Sequence, residues 1–334
     1  MPPRVTAIHP LGAIEGGRID IEGAAFPVND HHLPEVRIGE APARLVFASA
    51  TRLGAIVPSG LDAGRATVRV TSAPGETAFI DVASPFATGL HQVDNPVFDR
   101  EGNLYVTYSG TRGQDVPVSI FRVSPSGRRE SFVSGIVNPT SMTFDSLGNL
   151  YVSSRFEGAV YRVHSDGSHD TFAADLGMAC GLAFGRNNIL YVGDRSGTLF
   201  AVQPGGKARA LATLPASVAA FHLAIGPDDG VYVTAPTLGP YDHVYRVDPV
   251  TGKIDRVYSG FGRPQGLAFD SQGSLYVVEA LAGWSGLYRL HAGGKPELVV
   301  AGHSLVGVAF NPQGGLVVAS NDTAYRLQVG SRPL

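Results

Sequence analysis

The stretch GLAFDSQGSLYV at residues 266–277 belongs to a phrase that occurs in six related copies. Each copy reads as an apolar strand, a polar turn and a second strand that carries a tyrosine, except that Val317 replaces the tyrosine in the last copy. The tyrosine position recurs every 40 to 46 residues. A period of about 40 residues with several strands per unit predicts a β-propeller. The other copies are NPVFDREGNLYV (95–106), SMTFDSLGNLYV (141–152), GLAFGRNNILYV (181–192), LAIGPDDGVYV (223–233) and GVAFNPQGGLVV (307–318).

Each repeat has a second half with its own signature. A third strand follows the tyrosine strand, and in the first five repeats a Gly-rich turn and a weaker fourth strand come next. Four strands per repeat predict one antiparallel blade, because apolar and polar residues alternate and no segment keeps a helical period. The third strands are IFRV (120–123), VYRV (160–163), LFAV (199–202), VYRV (244–247), LYRL (287–290) and AYRL (324–327).

The sixth repeat lacks a fourth strand, since only QVGSRPL follows Leu327. A three-stranded blade would leave an unpaired edge. Residues 85–90 form an additional candidate strand upstream of the first repeat. We therefore expect a six-bladed propeller in which 85–90 is the outer strand of the last blade.

Residues 1–83 lack the propeller phrase and predict a separate domain, followed by the propeller at 84–334. Short alternating strands separated by turn signals are typical of a small β-sandwich. This pattern resembles the IPT/TIG family of immunoglobulin-like domains, which implies a spacer or interaction module. The residues that carry the resemblance are Pro10, Gly16-Gly17, Ile19, Ile21, Gly23, Phe26, Val36-Arg37-Ile38-Gly39, Ala43, Ile56-Val57-Pro58, Gly64 and Val68-Arg69-Val70.

Bulk composition excludes several classes of function. The net charge of −3 gives no electrostatic case for nucleic acid, and no run of 18 apolar residues predicts a membrane span. The single cysteine, Cys180, excludes an internal disulfide. The N-terminus MPPRVTAIHP lacks the apolar region of a signal peptide.

The repeats at 85–330 resemble the NHL and gluconolactonase-like propellers, through motifs such as GLAFD and GNLYV. The resemblance favours an extracytoplasmic or cell-surface location. In the lactonase branch, side chains at the start of the innermost strands hold a divalent cation such as Ca²⁺, which polarises the lactone carbonyl and activates water. Counting back five residues from the turn that ends each inner strand gives the corresponding ring: Asp94, Thr140, Cys180, Phe221, Gln265 and Val306.

That ring departs from the Glu, Asn, Asn and Asp of the lactonases. Asp94, Thr140 and Gln265 offer fewer oxygens than a hard cation takes, so we expect no resident metal, with a cation on these three residues as the alternative.

Asp94 is a catalytic candidate, or else a turn residue that bonds nearby backbone. Cys180 is a candidate nucleophile, or else a small buried hydrophobe. His222 follows Phe221, so strand alternation predicts that it points away from the channel into the core. His303 is a candidate general base.

The loops after the second strands share the end of the propeller where the inner strands begin. They combine charged and aromatic side chains, which are favoured at binding surfaces, although any propeller rim is also polar and solvated. Trp284 is the only tryptophan, in a Gly-flanked loop. The predicted ligand-binding residues are Tyr108, Thr140, Arg155, Asp194, Arg195, Tyr241, Gln265, Glu279 and Trp284.

Two functions remain open at the level of sequence. One is a binding protein that holds a small molecule, a glycan or a protein on the loop face. The other is a lactonase-type hydrolase or a lyase that acts at the channel mouth. The small number of carboxylates and histidines in the predicted ring favours binding.

Overall fold

The structure is a computed structural model, and it describes residues 2–29, 33–73, 77–281, 283, 285–291 and 293–327. These residues form β-strands and connecting turns but no helix, in a β-propeller arrangement preceded by a strand-rich N-terminal segment. The described part of the chain accordingly contains no helix long and apolar enough to cross a membrane.

The N-terminal segment contains eight strands that enclose their own core. Ile19, Ile21, Ile38 and Leu53 are completely buried there because alternate residues of each strand point to the same side. In the sheet the strands are ordered β1-β3-β6-β5-β4-β7-β8-β2. Their bounds are β1 Arg4–His9, β2 Gly12–Ala13, β3 Arg18–Ala24, β4 Val36–Ile38, β5 Ala41–Ala48, β6 Arg52–Ile56, β7 Gly64–Val70 and β8 Ala78–Val82.

The repeats form antiparallel four-stranded units in chain order. Four of these are separate sheets made of β10–β13, β14–β17, β18–β21 and β22–β25. Their strands are β10 Val97–Phe98, β11 Leu104–Thr107, β12 Ile120–Val123, β13 Arg129–Val133, β14 Pro139–Phe144, β15 Leu150–Ser154, β16 Ala159–Val163, β17 His169–Ala173, β18 Ala179–Phe184, β19 Leu190–Asp194, β20 Thr198–Val202, β21 Ala208–Thr213, β22 His222–Ile225, β23 Val231–Thr234, β24 Asp242–Val247 and β25 Ile254–Phe261.

The next unit is joined to the N-terminal segment. Its strands are β26 Pro264–Phe269, β27 Leu275–Glu279, β28 Gly286–Leu290 and β29 Glu297–Ala301. The short β2 pairs in parallel with β29 on one side and with β8 on the other, so that the sheet continues to twelve strands. Ile14 follows β2 and is buried with Tyr276, Val300 and Leu305. The N-terminal segment is therefore attached through both backbone pairing and apolar packing.

The expected closing strand is present. The last sheet contains β30 Leu305–Phe310, β31 Leu316–Ser320, β32 Thr323–Arg326 and, as its outer strand, β9 Ser84–Thr88. The β9–β32 pairing is antiparallel, with Ala87 opposite Ala324 and Thr88 opposite Thr323. The prediction that residues near 85–90 pair with the chain near 323–329 is thereby confirmed.

The recurring tyrosine and glycine of the repeat have packing roles. Tyr151 lies edge-on between Phe172 of its own sheet and Phe184 of the next, with ring centroids 4.9 and 4.8 Å apart. A Cβ atom added to Gly181 would lie 2.6 Å from the backbone oxygen of Phe221, the residue just before the neighbouring inner strand β22. The phrase therefore specifies contacts between successive sheets, which is why it recurs without specifying an activity.

Candidate binding site at one end of the channel

One end of the propeller collects the starts of the inner strands and the loops that follow the second strands. Antiparallel pairing places Pro139 opposite Ser154 and Pro264 opposite Glu279. The loops are also connected between neighbouring sheets, since the backbone N–H of Gly113 donates to the side-chain oxygen of Asn138 at 2.7 Å. We call this end the loop face, and it contains the loops at 108–117, 154–157, 194–196 and 236–243 together with the described residues of 279–285.

The centre of the channel is occupied by a buried polar network. His222 Nδ1 lies 2.6 Å from Asp94 Oδ1, and His222 Nε2 lies 3.3 Å from Gln265 Oε1. These three side chains are 0%, 3% and 7% exposed. They come from distant parts of the chain, so the network ties three inner segments together across the channel.

The residue after Asp94 extends this closure. Asn95 donates from Nδ2 to the Leu267 carbonyl oxygen at 2.9 Å and accepts from the Val308 N–H at 2.9 Å. A Cβ atom on Gly307 would lie 2.8 Å from both Asn95 Cα and the Asp94 carbonyl oxygen. The glycine of the last repeat thus leaves room for the Asp94–Asn95 backbone. Asp94 and Asn95 consequently pack against two other inner strands.

The predicted orientation of His222 is wrong, as is the position assigned to Phe221. His222 reaches Asp94 and Gln265, whereas Phe221 is buried with Cys180 and lies against Gly193. The inner strands β14, β18, β26 and β30 each contain a bulge near their start, but β22 pairs regularly from His222 to Ile225. A bulge adds one residue, so counting the same five positions in every repeat is off by one in this repeat. His222 is nevertheless a buried core histidine, as expected.

The residues of the predicted ring do not fit a resident divalent cation. The Asp94 carboxylate is engaged by His222, and the Thr140 hydroxyl donates to the Asn138 carbonyl oxygen at 3.1 Å. Gln265 adds one neutral amide. A hard cation takes six to eight oxygen ligands, commonly with several carboxylates. Within the described ranges no three His, Cys, Asp or Glu side chains are grouped in a way that could hold a metal.

Cys180 is the second residue of the inner strand β18, and it is 1% exposed. Burial raises the pKa of its thiol to about 11, while the nearby Arg155 and the Phe221 backbone act in the opposite direction. A thiol with this pKa stays protonated at neutral pH, and the thiolate is the reactive species. The environment therefore disfavours the nucleophile hypothesis and favours a small buried hydrophobe.

The predicted acidic binding residues hold the loops in place. Glu279 is 2% exposed and accepts from the backbone N–H groups of Gly262, Arg263 and Leu281 at 2.6 to 2.8 Å. Burial raises the pKa of Glu279, although these hydrogen bonds oppose the shift. Asp194 accepts from the Met178 N–H at 2.8 Å and is 6% exposed. Both carboxylates fix the shape of the loop face.

The remaining predicted residues differ in what they present at the loop face. Tyr241 is 69% exposed, whereas Tyr108 is partly buried edge-on against the His91 ring. Arg195 donates to the carbonyl oxygens of Ser217 and Val218 at 3.2 and 2.8 Å. Arg155 is partly buried. Trp284 lies outside the described residues.

His303 lies apart from the channel centre, in a cavity of about 650 Å³ between the propeller and the N-terminal segment. A Cβ atom on Gly16 would come within 2.5 Å of the His303 ring. Glu15, Arg44 and Asp322 also line this cavity. The short β2 that creates the contact has no recognisable sequence signal, so sequence reasoning missed the cavity.

Comparison by sequence gives no family assignment. No family model matches the chain, and no curated protein matches it significantly.

Comparison by structure identifies β-propellers. The chain is similar to an auxiliary nutrient binding protein from Bacteroides ovatus, with 16% identity, 98% of each chain covered and a TM-score of 0.57. It is also similar to a gluconolactonase from Xanthomonas campestris, with 13% identity, 73% of this chain and 88% of that one covered, and a TM-score of 0.62. A streptogramin B lyase gives 12% identity, 74% and 97% coverage, and a TM-score of 0.54. At these identities the likeness shows the fold.

Proposed function

We propose that this protein is a non-catalytic binding protein that holds a small molecule at the loop face of its propeller. The observation that carries the proposal is the closed centre of the channel, where Asp94, His222 and Gln265 are almost completely buried and bonded to one another. General acid–base chemistry needs groups within reach of a substrate. The loops of the loop face surround this buried network and are held in place by hydrogen bonds to the backbone. Such preorganised loops favour ligand binding over catalysis.

The architecture that goes with this proposal has six blades, counting β26–β29 as one of them and closing the ring with β9. The N-terminal segment is proposed to be an immunoglobulin-like domain of the IPT/TIG type, at residues 1–83, and the propeller to be of the NHL and gluconolactonase-like kind. The similarity to two auxiliary nutrient binding proteins, over 98% of this chain and 97 to 98% of theirs, supports a solute as the ligand. A glycan or a protein partner would use the same face.

A direct test is amide hydrogen exchange in the presence of a panel of sugars, amino acids and organic acids. We expect a binding solute to protect 108–117, 154–157, 194–196 and 236–243. Tyr241→Ala should weaken binding at least tenfold without lowering stability, because the side chain is 69% exposed. Val250→Ala is the matched control, since Val250 is 82% exposed in the turn at 248–252. Protection confined to the turns at 124–128 and 164–168 would contradict the proposal.

The lactonase alternative makes a different prediction about metal. We expect EDTA to leave the melting temperature unchanged within about 1 °C, because a resident ion would stabilise the folded state by mass action. Added Ca²⁺ should not produce hydrolysis of a simple aldonolactone above the buffer rate. A large fall in melting temperature with EDTA, absent in Asp94→Ala, would instead favour a cation at the channel and the hydrolase.

A further inference from the structure

Three arginines belong to loops of three consecutive sheets at the loop face. Arg112 belongs to the loop after β11, Arg155 to the turn after β15, and Arg195 to the turn after β19. Arg112 and Arg195 are close enough to act electrostatically on Arg155, and Arg155 acts in turn on His91. We call Arg112, Arg155 and Arg195 the arginine cluster.

The turn that carries Arg155 is fixed by bonds that do not use its guanidinium. The Ser154 hydroxyl donates to the Val137 carbonyl oxygen at 2.6 Å and accepts from the Glu157 N–H at 3.2 Å. The Leu176 N–H donates to the Gly158 carbonyl oxygen at 2.9 Å. Among the described residues Arg155 makes no hydrogen bond and no ion pair, so its five N–H donors are available.

The other two arginines are also held in position. Asn138 accepts from Gly113 and donates to the carbonyl oxygens of Ser109 and Thr111 at 2.6 and 2.7 Å, which fixes the loop around Arg112. Arg195 is anchored by backbone carbonyl groups rather than by a carboxylate. Within the part of the chain that the structure describes, neither Arg112 nor Arg195 forms a salt bridge.

The local charge is not neutralised by the protein. Burial lowers the pKa of the Arg155 guanidinium, Cys180 opposes this shift, and the positive charges of Arg195 and Arg112 lower the pKa further. Burial likewise lowers the pKa of His91, with Arg155 as a second cause. The neighbouring carboxylates Asp94 and Asp194 are already occupied by His222 and by backbone N–H groups. Like charges held together raise the free energy of the empty site, and an anion would relieve this cost.

Within the described part of the chain, two polar side chains in the segments around His91 have no protein partner. The side-chain amide of Gln92 and the hydroxyl of Ser109 are buried and have no hydrogen-bond partner among the described residues. Gln92 follows His91 in the chain, and the Ser109 N–H donates to the His91 carbonyl oxygen at 3.0 Å. Buried polar atoms are normally satisfied, by protein, by water or by a ligand.

We propose that the arginine cluster binds an anionic group of the ligand, a carboxylate or a phosphate, with Arg155 as the central donor. The proposal rests on the proposed function and adds a chemical class to it. An arginine can meet either oxyanion with two parallel N–H···O bonds, and such charge-assisted bonds are stronger than neutral ones. A site built from three rigid loops would require little reorganisation on binding.

The test uses the full chain with two probes, inorganic phosphate and citrate, titrated at constant ionic strength against chloride. Binding is followed by the Nε–Hε resonances of the arginines and by the His91 ring in NMR spectra. We expect saturable shifts of Arg112, Arg155 and Arg195 with at least one probe. The pKa of His91 should rise on saturation, because the bound anion offsets the positive charge of Arg155.

Variants distinguish a specific site from general charge. Arg155→Gln should weaken at least tenfold the affinity for the probe that binds. The affinity of Arg155→Lys should lie between those of Arg155→Gln and the wild type. Arg128→Gln, at an exposed arginine in the turn after β12, removes the same charge elsewhere and should leave affinity unchanged. If Arg155→Gln does not fold, Arg112→Gln, at an exposed position, should still weaken binding several-fold.

The outcomes separate this inference from the proposed function. Non-saturating shifts with both probes, or equal losses in Arg155→Gln and Arg128→Gln, would overturn the anion site. If a neutral solute protects the loop face and its affinity does not depend on Arg155, the proposed function holds and the anion site fails. If phosphate binds as expected while no organic solute, citrate included, binds at the loop face, the anion site stands without the proposed function.

Discussion

Ala87→Asp is expected to lower the free energy of unfolding of the propeller by at least about 3 kcal/mol. The substitution places an unpaired charge in the buried apolar contact between β9 and β32. Ala87 is 6% exposed and lies opposite Ala324, which is completely buried. The surrounding apolar cluster contains Leu104 and Val106 from β11 together with Val317 from β31. It therefore joins the first and last sheets, and its loss should separate the two ends of the propeller.

Thr88→Asp is the matched control, one residue along the same strand. Thr88 is exposed, so the same substitution should change the free energy of unfolding by no more than about 0.5 kcal/mol. Urea unfolding gives the two free energies, and amide hydrogen exchange should show β9 and β32 losing protection together in Ala87→Asp. Equal stability of the two variants would show that the β9–β32 pairing does not hold the propeller closed.

The closing strand could be predicted because repeat counting is a global constraint. The sixth repeat lacked a strand, and only residues near 85–90 were available to supply it. Its observed position at Ser84–Thr88 differs at the ends because strand limits depend on backbone pairing. Apolar alternation does not determine where such pairing stops.

The orientation of His222 could not be predicted from the same counting. Strand alternation is reliable only if every repeat has the same register, and β22 lacks the bulge found in four other inner strands. A bulge depends on local backbone geometry, which short sequence motifs do not specify. The polar network that crosses the channel was missed for this reason.

Long-range juxtapositions also lie beyond the sequence pattern. Repeat position correctly indicated that the loops carrying Arg155 and Arg195 share one end, but their approach to each other depends on the exact turns. The pairing of Gly12–Ala13 with β29 involves only two residues, too few for a periodic signal. The sequence therefore suggested a short connection at 83–85 without revealing the shared sheet.

The second large effect is expected at the channel centre. Asp94→Ala should lower the free energy of unfolding by roughly 3 kcal/mol, because it leaves the buried His222 Nδ1 without its partner at 2.6 Å. Asp115→Ala, at an exposed carboxylate of the loop face, should stay within about 0.5 kcal/mol. Asp94→Asn keeps an oxygen acceptor, so its free energy of unfolding should lie between those of Asp94→Ala and the wild type.

A double variant separates a structural network from a catalytic one. If the network is structural, Asp94→Ala combined with His222→Leu should be more stable than the sum of the single losses predicts, because neither Asp94 nor His222 is then left buried without the other. The contact of Gln265 with His222 is lost equally in His222→Leu and in the double variant, so it does not enter the coupling. Urea unfolding of the four species measures this coupling free energy. A catalytic pair would instead tolerate Asp94→Ala with little change in stability. That result would contradict a structural role for the buried network at the channel centre. It would also remove the argument that the protein binds a ligand rather than catalysing a reaction.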